Sequence, residues 1–547
     1  MSFACFSRGK HAGPSLLDAG GLWSRLTPVL IGLLVMLGLS AYAEGTPYEA
    51  GVAQAPAGEI DRLVFARLAE QNLTPAEVCS DAVFVRRVYL DVIGTLPTAL
   101  ETREFLQDRN PNKRRLLVDR LLERDEFADY WAMKWSDLLR IKAEFPVNLW
   151  PNAAQAYHRW VHDALRSNMP YNQFARDLLT ASGSNFENPP VNFYRAAQNK
   201  TPAGIAQTVA LTFMGMRAEN WPGNRLAGMS VFFANVGFKA TGEWKEEIVY
   251  FAPASTNVGA LNGEPRTATF PDGTTVQLFP DRDPRAVFAD WLVTARNPWF
   301  ARNYVNRVWS WLLGRGIIQE PDDVRPDNPP SNPKLLAYLE QEFAASGFNV
   351  KALFRQILNS QTYQLAAIPR SRSPAAAANF AGYPLRRLEA EVLIDDLDQL
   401  TGGTESYTSE IPEPFTFIPD NQRSIALPDG SVSSPFLEMF GRSPRDTGRE
   451  GERNNRITAS QKLWLLNSSQ MQQKLENSRM VKFQTQPDKT PADIVANLYL
   501  GILSRFPTPQ EADLAQAYFA KGDMSRHRAT VDLAWALMNT TEFLYHH

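Results

Sequence analysis

Apolar residues return at helical spacing along most of this chain. Ile60, Leu63, Val64 and Leu68 share one face of a helix. Helix starts recur in a fixed style. Thr74-Pro75-Ala76-Glu77 reads as a threonine cap, a proline at the first helical position and a glutamate that reaches back to the cap. The Thr-Pro opening returns at Thr201, Thr490 and Thr508, with Glu511 completing the last box, while Thr98 and Glu101 make a box without proline. Ser331-Asn332-Pro333 opens another helix that Gly347 ends. Further helical runs are expected over 113–141, 203–216, 285–313 and 386–400.

One interval departs from this pattern. Between Ile248 and Phe279, Val, Thr and Phe alternate among Gly, Pro and Asn, and Asp272-Gly273 sits between two short runs as a hairpin turn. Two stretches lack periodicity: Glu320 to Pro333, and the long Pro-, Gly- and Ser-rich segment from Thr401 to Arg456, of a length that is functional or mobile in most proteins. The pattern predicts a mainly α fold: a first helical domain over 44–247, a small β insert over 248–284 and a second helical domain over 285–547. The run from Tyr89 to Thr98 echoes that from Tyr499 to Thr508, a weak internal repeat.

The first 43 residues change the picture. Arg8, Lys10 and Arg25 precede a charge-free run from Leu26 that closes on Ala41-Tyr42-Ala43, the pattern of a cleaved signal peptide. The chain is therefore expected to be exported, periplasmic or secreted, with no membrane attachment beyond that segment. The remainder holds 53 basic and 58 acidic residues, a net charge of −5, which gives no case for nucleic-acid binding. Its single cysteine, Cys79, precludes an internal disulfide, a cysteine-based zinc site and a Cys-x-x-Cys-His haem attachment, so no haem is expected.

Candidate chemistry is thin. His158 and His162 are four apart on one helical face, as two metal ligands would be, yet no third ligand accompanies them, and a structural role is the simpler reading. No G-x-S-x-G elbow occurs. The acidic loop with Glu320, Asp322, Asp323 and Asp327 offers hard oxygen ligands without the spacing of an EF-hand; calcium is the one cofactor it suits. The same carboxylates could instead cap helices or pair with Arg315 and Arg325. Beside Asp281 and Asp283, they would make a carboxylate pair of the kind glycoside hydrolases use, with Asp322 and Asp323 as catalytic candidates. Arg302, Asn306 and Arg307, like Arg86, Arg87 and Asp91, lie within apolar helices. There they either bridge helices or line a cleft that binds a carboxylate or sulfate. Trp131, Trp135, Trp150, Trp160, Trp309 and Trp311 suit sugar rings as a group, but a core role is expected for any single one.

Taken in order, several segments resemble a known pair of domains. Phe84 to Asp91, Gly94 to Thr98 and Leu117 to Leu122 are similar to the planctomycete secreted cytochrome-associated domain. Phe300 to Trp309, Gly314 to Gly316, Asp322-Asp323, Arg386 to Glu391, Phe440 to Arg442 and Leu463 to Asn467 are similar to planctomycete secreted domain one. Both are uncharacterised, and the likeness covers nearly all of the chain after residue 43. It implies an exported protein. Relatives often carry Cys-x-x-Cys-His after a Phe-Leu-Gly-like segment; here Phe213-Met214-Gly215-Met216-Arg217 leads into a stretch with no Cys and no His, and none stands near Arg449 to Arg453. The expectation is a cofactor-free, non-catalytic binding or assembly component, its partner an extracellular glycan or another exported protein. The alternative is a glycan hydrolase working through Asp322 and Asp323.

Overall fold

The threonine caps do what their chemistry dictates. Thr98, Thr490 and Thr508 each accept a hydrogen bond from the third helical amide while the acidic residue at that position reaches back to the cap. The computed structural model describes residues 47–51, 56–412, 414–521 and 524–547; the segment 1–43, expected to be a signal peptide, lies outside them. Within them the fold is mainly α, with small sheets of two or three strands. Among the described residues no helix is long and apolar enough to cross a membrane.

Some expected helices take another form. Thr74 to Glu77 starts no helix. Its backbone is drawn into extended pairing, with Ala76 N–H donating to Ala381, Cys79 N–H to Gln364, and Ala366 N–H to Glu77. The run 113–141 is two helices, Lys113–Leu122 and Asp125–Leu138, and 285–313 is likewise Pro284–Leu292 and Phe300–Leu313. Arg386 and Arg387 form a strand that pairs antiparallel with Tyr545–His546, and the helix begins only at Ala390. The β region starts earlier than the sequence suggests: Val236–Ala240 joins Glu247–Phe251 and Gly183–Ser184 in one antiparallel sheet. The Asp272-Gly273 hairpin is present, joining Arg266–Thr269 to Thr275–Leu278.

One continuous apolar core runs through these elements, and residues 47–547 form a single compact unit. Asp125–Leu138 packs on Pro151–Arg166, Phe300–Leu313 on Pro333–Ala345, and Ala99–Gln107 on Pro491–Ile502. The helix that follows the first echoing segment thus packs on the helix that leads into the second. Arg86 and Arg87, buried in the helix Asp81–Ile93, bind backbone carbonyls from distant elements: Arg86 those of Ile502 and Phe543, Arg87 those of Tyr363, Leu365 and His547. A buried guanidinium needs such acceptors, and helix ends supply them because their last carbonyls lack intrahelical partners.

Candidate functional site

The charged residues that the sequence offers for chemistry are held by one another. Arg307 donates to the carbonyls of Leu211 and Thr212, at the end of the helical run that opens at Pro202, and to Oδ1 of Asp322 at 2.7 Å. The other Asp322 oxygen accepts the amide of Glu450 at 2.6 Å. Asn303 also donates to Thr212, and Asn306 both donates to and accepts from the backbone of Ile318. The run Phe213 to Met216 packs here too: a Cβ on Gly215 would lie 2.5 Å from Asn303 Oδ1. Asp323 and Asp327 flank the guanidinium of Arg325, at 3.1 and 3.3 Å, and Glu320 lies 3.7 Å from Arg217. Arg302 bridges to Glu340 on the neighbouring helix. Asp283 caps its helix and grips Arg285. Among the described residues no group of three or more His, Cys, Asp or Glu is placed to hold a metal ion, and no hydrogen bond joins Asp281 or Asp283 to the acidic loop.

A second polar cluster is closed in the same way. Asp91 accepts from the hydroxyls of Tyr363 and Tyr383 and from Arg386, and lies 3.0 Å from His546. Lys134 pairs with Glu389; against a large burial penalty, that ammonium holds the Glu389 carboxyl down to about 2. Arg453 bridges Asp137 and Glu391, and Arg445 also binds Asp137. Such pairs fix how helices sit on one another, and losing one member strands a buried charge.

A different environment lies between the helix Pro151–Arg166 and the loop that follows Phe415. There a cavity of about 310 Å³ is lined by Gln155, His158, Arg159 and His162 on the helix side, and by Thr416, Phe417 and Asp429 on the loop side, among others. Its wall contains three buried polar atoms without partners: His158 Nε2, Thr416 Oγ1 and Asp429 Oδ2. Their residues are 7%, 6% and 2% exposed. Buried polar groups are satisfied in most native proteins; unmet atoms also occur elsewhere among the described residues, at Arg307 Nε and Arg386 Nε for instance, and what sets these three apart is that their residues line one cavity. Asp429 uses its other oxygen to accept the amides of Ala143 and Ser431, which fixes the loop on the helical body. His158 is held neutral: burial, then the nearby Arg445, pushes its pKa down to about 3. His162 is raised instead, by the carboxylate of Asp129 and then that of Asp163. The two i,i+4 histidines are therefore biased in opposite directions, His158 toward its neutral form and His162 toward its protonated one, unlike a matched pair of metal ligands.

Aromatic rings border this cavity. Phe417 is 66% exposed, and two residues earlier Phe415 meets Trp150 edge-on at 5.5 Å. Trp150 in turn meets the exposed Trp244 at 6.1 Å, with the Lys245 ammonium over both indoles. Trp150 stands at φ +74°, ψ +147°, immediately before Pro151 begins the helix. That region is nearly reserved for glycine and costs on the order of 1–3 kcal/mol, a strain found at functional sites. Lys245 and Arg445 also have positive φ.

Sequence reasoning named His158 and His162, and singled out the long loop, but missed Asp429, Thr416 and Arg445. Nothing in composition marks them: one aspartate in a turn looks like any other, and its free oxygen exists only once the loop is folded.

Two family models match the chain. PSCyt2, described as a protein of unknown function (DUF1549), covers residues 59–220, and PSD1, described as a protein of unknown function (DUF1553), covers 284–519. No curated protein and no solved structure matches it.

Proposed function

From the premise that this chain belongs to the proteins in which a PSCyt2 domain is followed by a PSD1 domain, two families without an assigned activity, we propose that it is an exported, non-catalytic binding component that takes its ligand at the cavity between Pro151–Arg166 and the 415–432 loop. The observation that carries this reading is the contrast between its polar groups. Asp322, Asp91 and Glu391 have both carboxylate oxygens engaged by other residues of the chain, whereas the cavity wall keeps one oxygen of Asp429, the Thr416 hydroxyl and His158 Nε2 unmet. A hydrolase needs two carboxylates free to face a substrate; in the acidic loop, arginines already stand against Asp322 and Asp323. A binding site needs polar groups left for its ligand in a concave, partly apolar wall. Export rests on the basic, then apolar, then Ala41-Tyr42-Ala43 pattern of the first 43 residues.

The test is a fragment screen by ligand-detected NMR on residues 44–547, with and without Gln155→Trp. Gln155 is half-buried on the helix and lines the cavity, so an indole there fills it without touching the core. Fragments that bind the natural chain and are lost in the variant are the expected result. Hits that ignore the substitution, or turnover of any fragment that falls in Asp322→Asn, would overturn it.

A further inference from the structure

Resting on that reading, we infer that the ligand is a neutral polysaccharide chain, one sugar seated at the cavity against Phe417 and the chain running over Phe415, Trp150 and Trp244.

The cavity sets the size and polarity of what enters. About 310 Å³ is the lower end of ligand-binding clefts, room for one ring-sized group. The unmet atoms define its chemistry. Asp429 Oδ2 only accepts, Thr416 Oγ1 donates and accepts, and the neutral His158 does one or the other at Nε2 according to tautomer. One acceptor beside two groups that can donate or accept asks for a molecule carrying several hydroxyls close together, since each hydroxyl does both. Adjacent sugar hydroxyls meet it; a fatty chain or an aromatic amino-acid side chain does not. Charge points the same way. The cavity opposes the exposed Arg159 to the buried Asp429, and Asp129 and Asp163 stand against His162. A carboxylated or sulfated ligand could meet Arg159 at the rim but would set its charge against the buried Asp429 oxygen, which is costly.

The aromatic border sets the shape. A pyranose ring presents a face of C–H groups that lies flat on an aromatic ring, so exposed Phe and Trp bind sugars without burying a polar group. Phe415, Trp150 and Trp244 come from three separate parts of the chain, the long loop, the residue before Pro151 and the turn between two strands. They nonetheless form one unbroken run of ring contacts, and Phe417 stands two residues from Phe415. A row of this kind fits a linear polymer better than a single sugar. The strained backbone at Trp150 and at Lys245 sets two indoles and an ammonium in that row, where relaxed backbones would aim them elsewhere.

The unmet atoms are sealed from solvent as well as unpartnered, so the sugar reaches them only when the outer loop yields. The backbone amides of Phe415 and Thr416 donate to the nearby Pro412, a local turn, whereas Ser424, Ile425 and Ser433 are tied to Asp395 and Thr408. The 415–419 stretch has the fewest backbone ties of this loop, held beyond that turn by Ile418 on the core and Phe415 on Trp150, and it is the part that shifts to admit the sugar.

The experiment is affinity gel electrophoresis of residues 44–547 through gels containing laminarin, dextran, hydroxyethyl cellulose or, as the anionic arm, chondroitin sulfate. At least one neutral polymer is expected to retard the protein, with a dissociation constant that changes less than twofold between 50 and 500 mM salt. Phe417→Ala and Trp244→Ala, both at exposed rings, should each weaken that retardation at least tenfold while leaving the melting temperature unchanged; Asp429→Asn should weaken it with the ring variants intact. Retardation by the sulfated polymer alone, or retardation that survives both ring substitutions, overturns the inference. If no polymer retards the protein while the fragment screen still yields hits lost in Gln155→Trp, the glycan falls and the binding site stands. If both are blank, both fall.

Discussion

His158 is kept neutral by burial, and that choice has a pH signature. Its folded pKa, about 3, lies below the ordinary value of an unfolded histidine. Between those values the unfolded chain binds a proton that the folded chain refuses, so stability is intact above the ordinary value and falls as pH drops toward 3. Each such proton contributes a slope of about 1.4 kcal/mol per pH unit. Urea unfolding at pH 5 and pH 6 should therefore show a smaller pH dependence in His158→Gln than in the natural chain, by up to that amount; equal slopes would show that the ring reaches solvent. Asp322 makes a second case. With its side chain and that of Arg307 both almost fully buried, Asp322→Asn leaves a guanidinium uncompensated and should cost about 3–5 kcal/mol in denaturant titration. Asp322, Arg307 and His158 could be picked from the sequence as unusual residues in apolar or acidic surroundings. Whether each was closed or open could not, because that depends on partners such as Leu211, Thr212 and Glu450, which no local pattern connects to them.

Caps and turns show where local sequence suffices for an element and where it does not. The boxes at Thr98, Thr490 and Thr508 need only four residues each, and all three are formed. Thr74 offers the same four residues and fails, since strand-like pairing with 364–366 and Ala381 satisfies that backbone instead. The Arg386–Arg387 strand was equally hidden, its partner lying at Tyr545–His546. Gly441 shows how tightly the long loop is threaded. It stands at φ +84°, and a Cβ there would fall 1.9 Å from the carbonyl oxygen of Asn454. Gly441→Ala should cost at least about 2 kcal/mol, the left-handed backbone plus a displaced strand of loop, measured as a lowered urea midpoint. It should also disturb the ion pairs of Arg442, Arg445 and Arg453 that this loop delivers to Asp137 and Glu391.

The two family segments, 59–220 and 284–519, could be independent bodies joined by a linker, as the separate helical runs and the intervening β insert suggest. The described chain instead shares one core, with Arg86, Arg87 and Asp91 from the first segment bonded to groups beyond residue 360. Calorimetry should show one unfolding transition whose van't Hoff and calorimetric enthalpies agree; two resolved transitions would mean that the segments melt apart. Helix content was legible because it is written in near-neighbour spacing. The sharing of the core was not, because it is written between residues hundreds of positions apart.

That last point bears on how the molecule comes into being. Arg87 and the carbonyl it grips at His547 are 460 positions apart, and Asp91 meets His546 across a similar span. A ribosome releases them in that order, so the guanidinium and carboxylate of the first helices meet partners between Tyr363 and Arg386 first and these two only later. Until those partners arrive the early helices hold unmatched charges that delay their settling into a native core. A copy broken off upstream of Tyr363 lacks every one of these partners and leaves both charges unmatched, the mark of an unfinished chain.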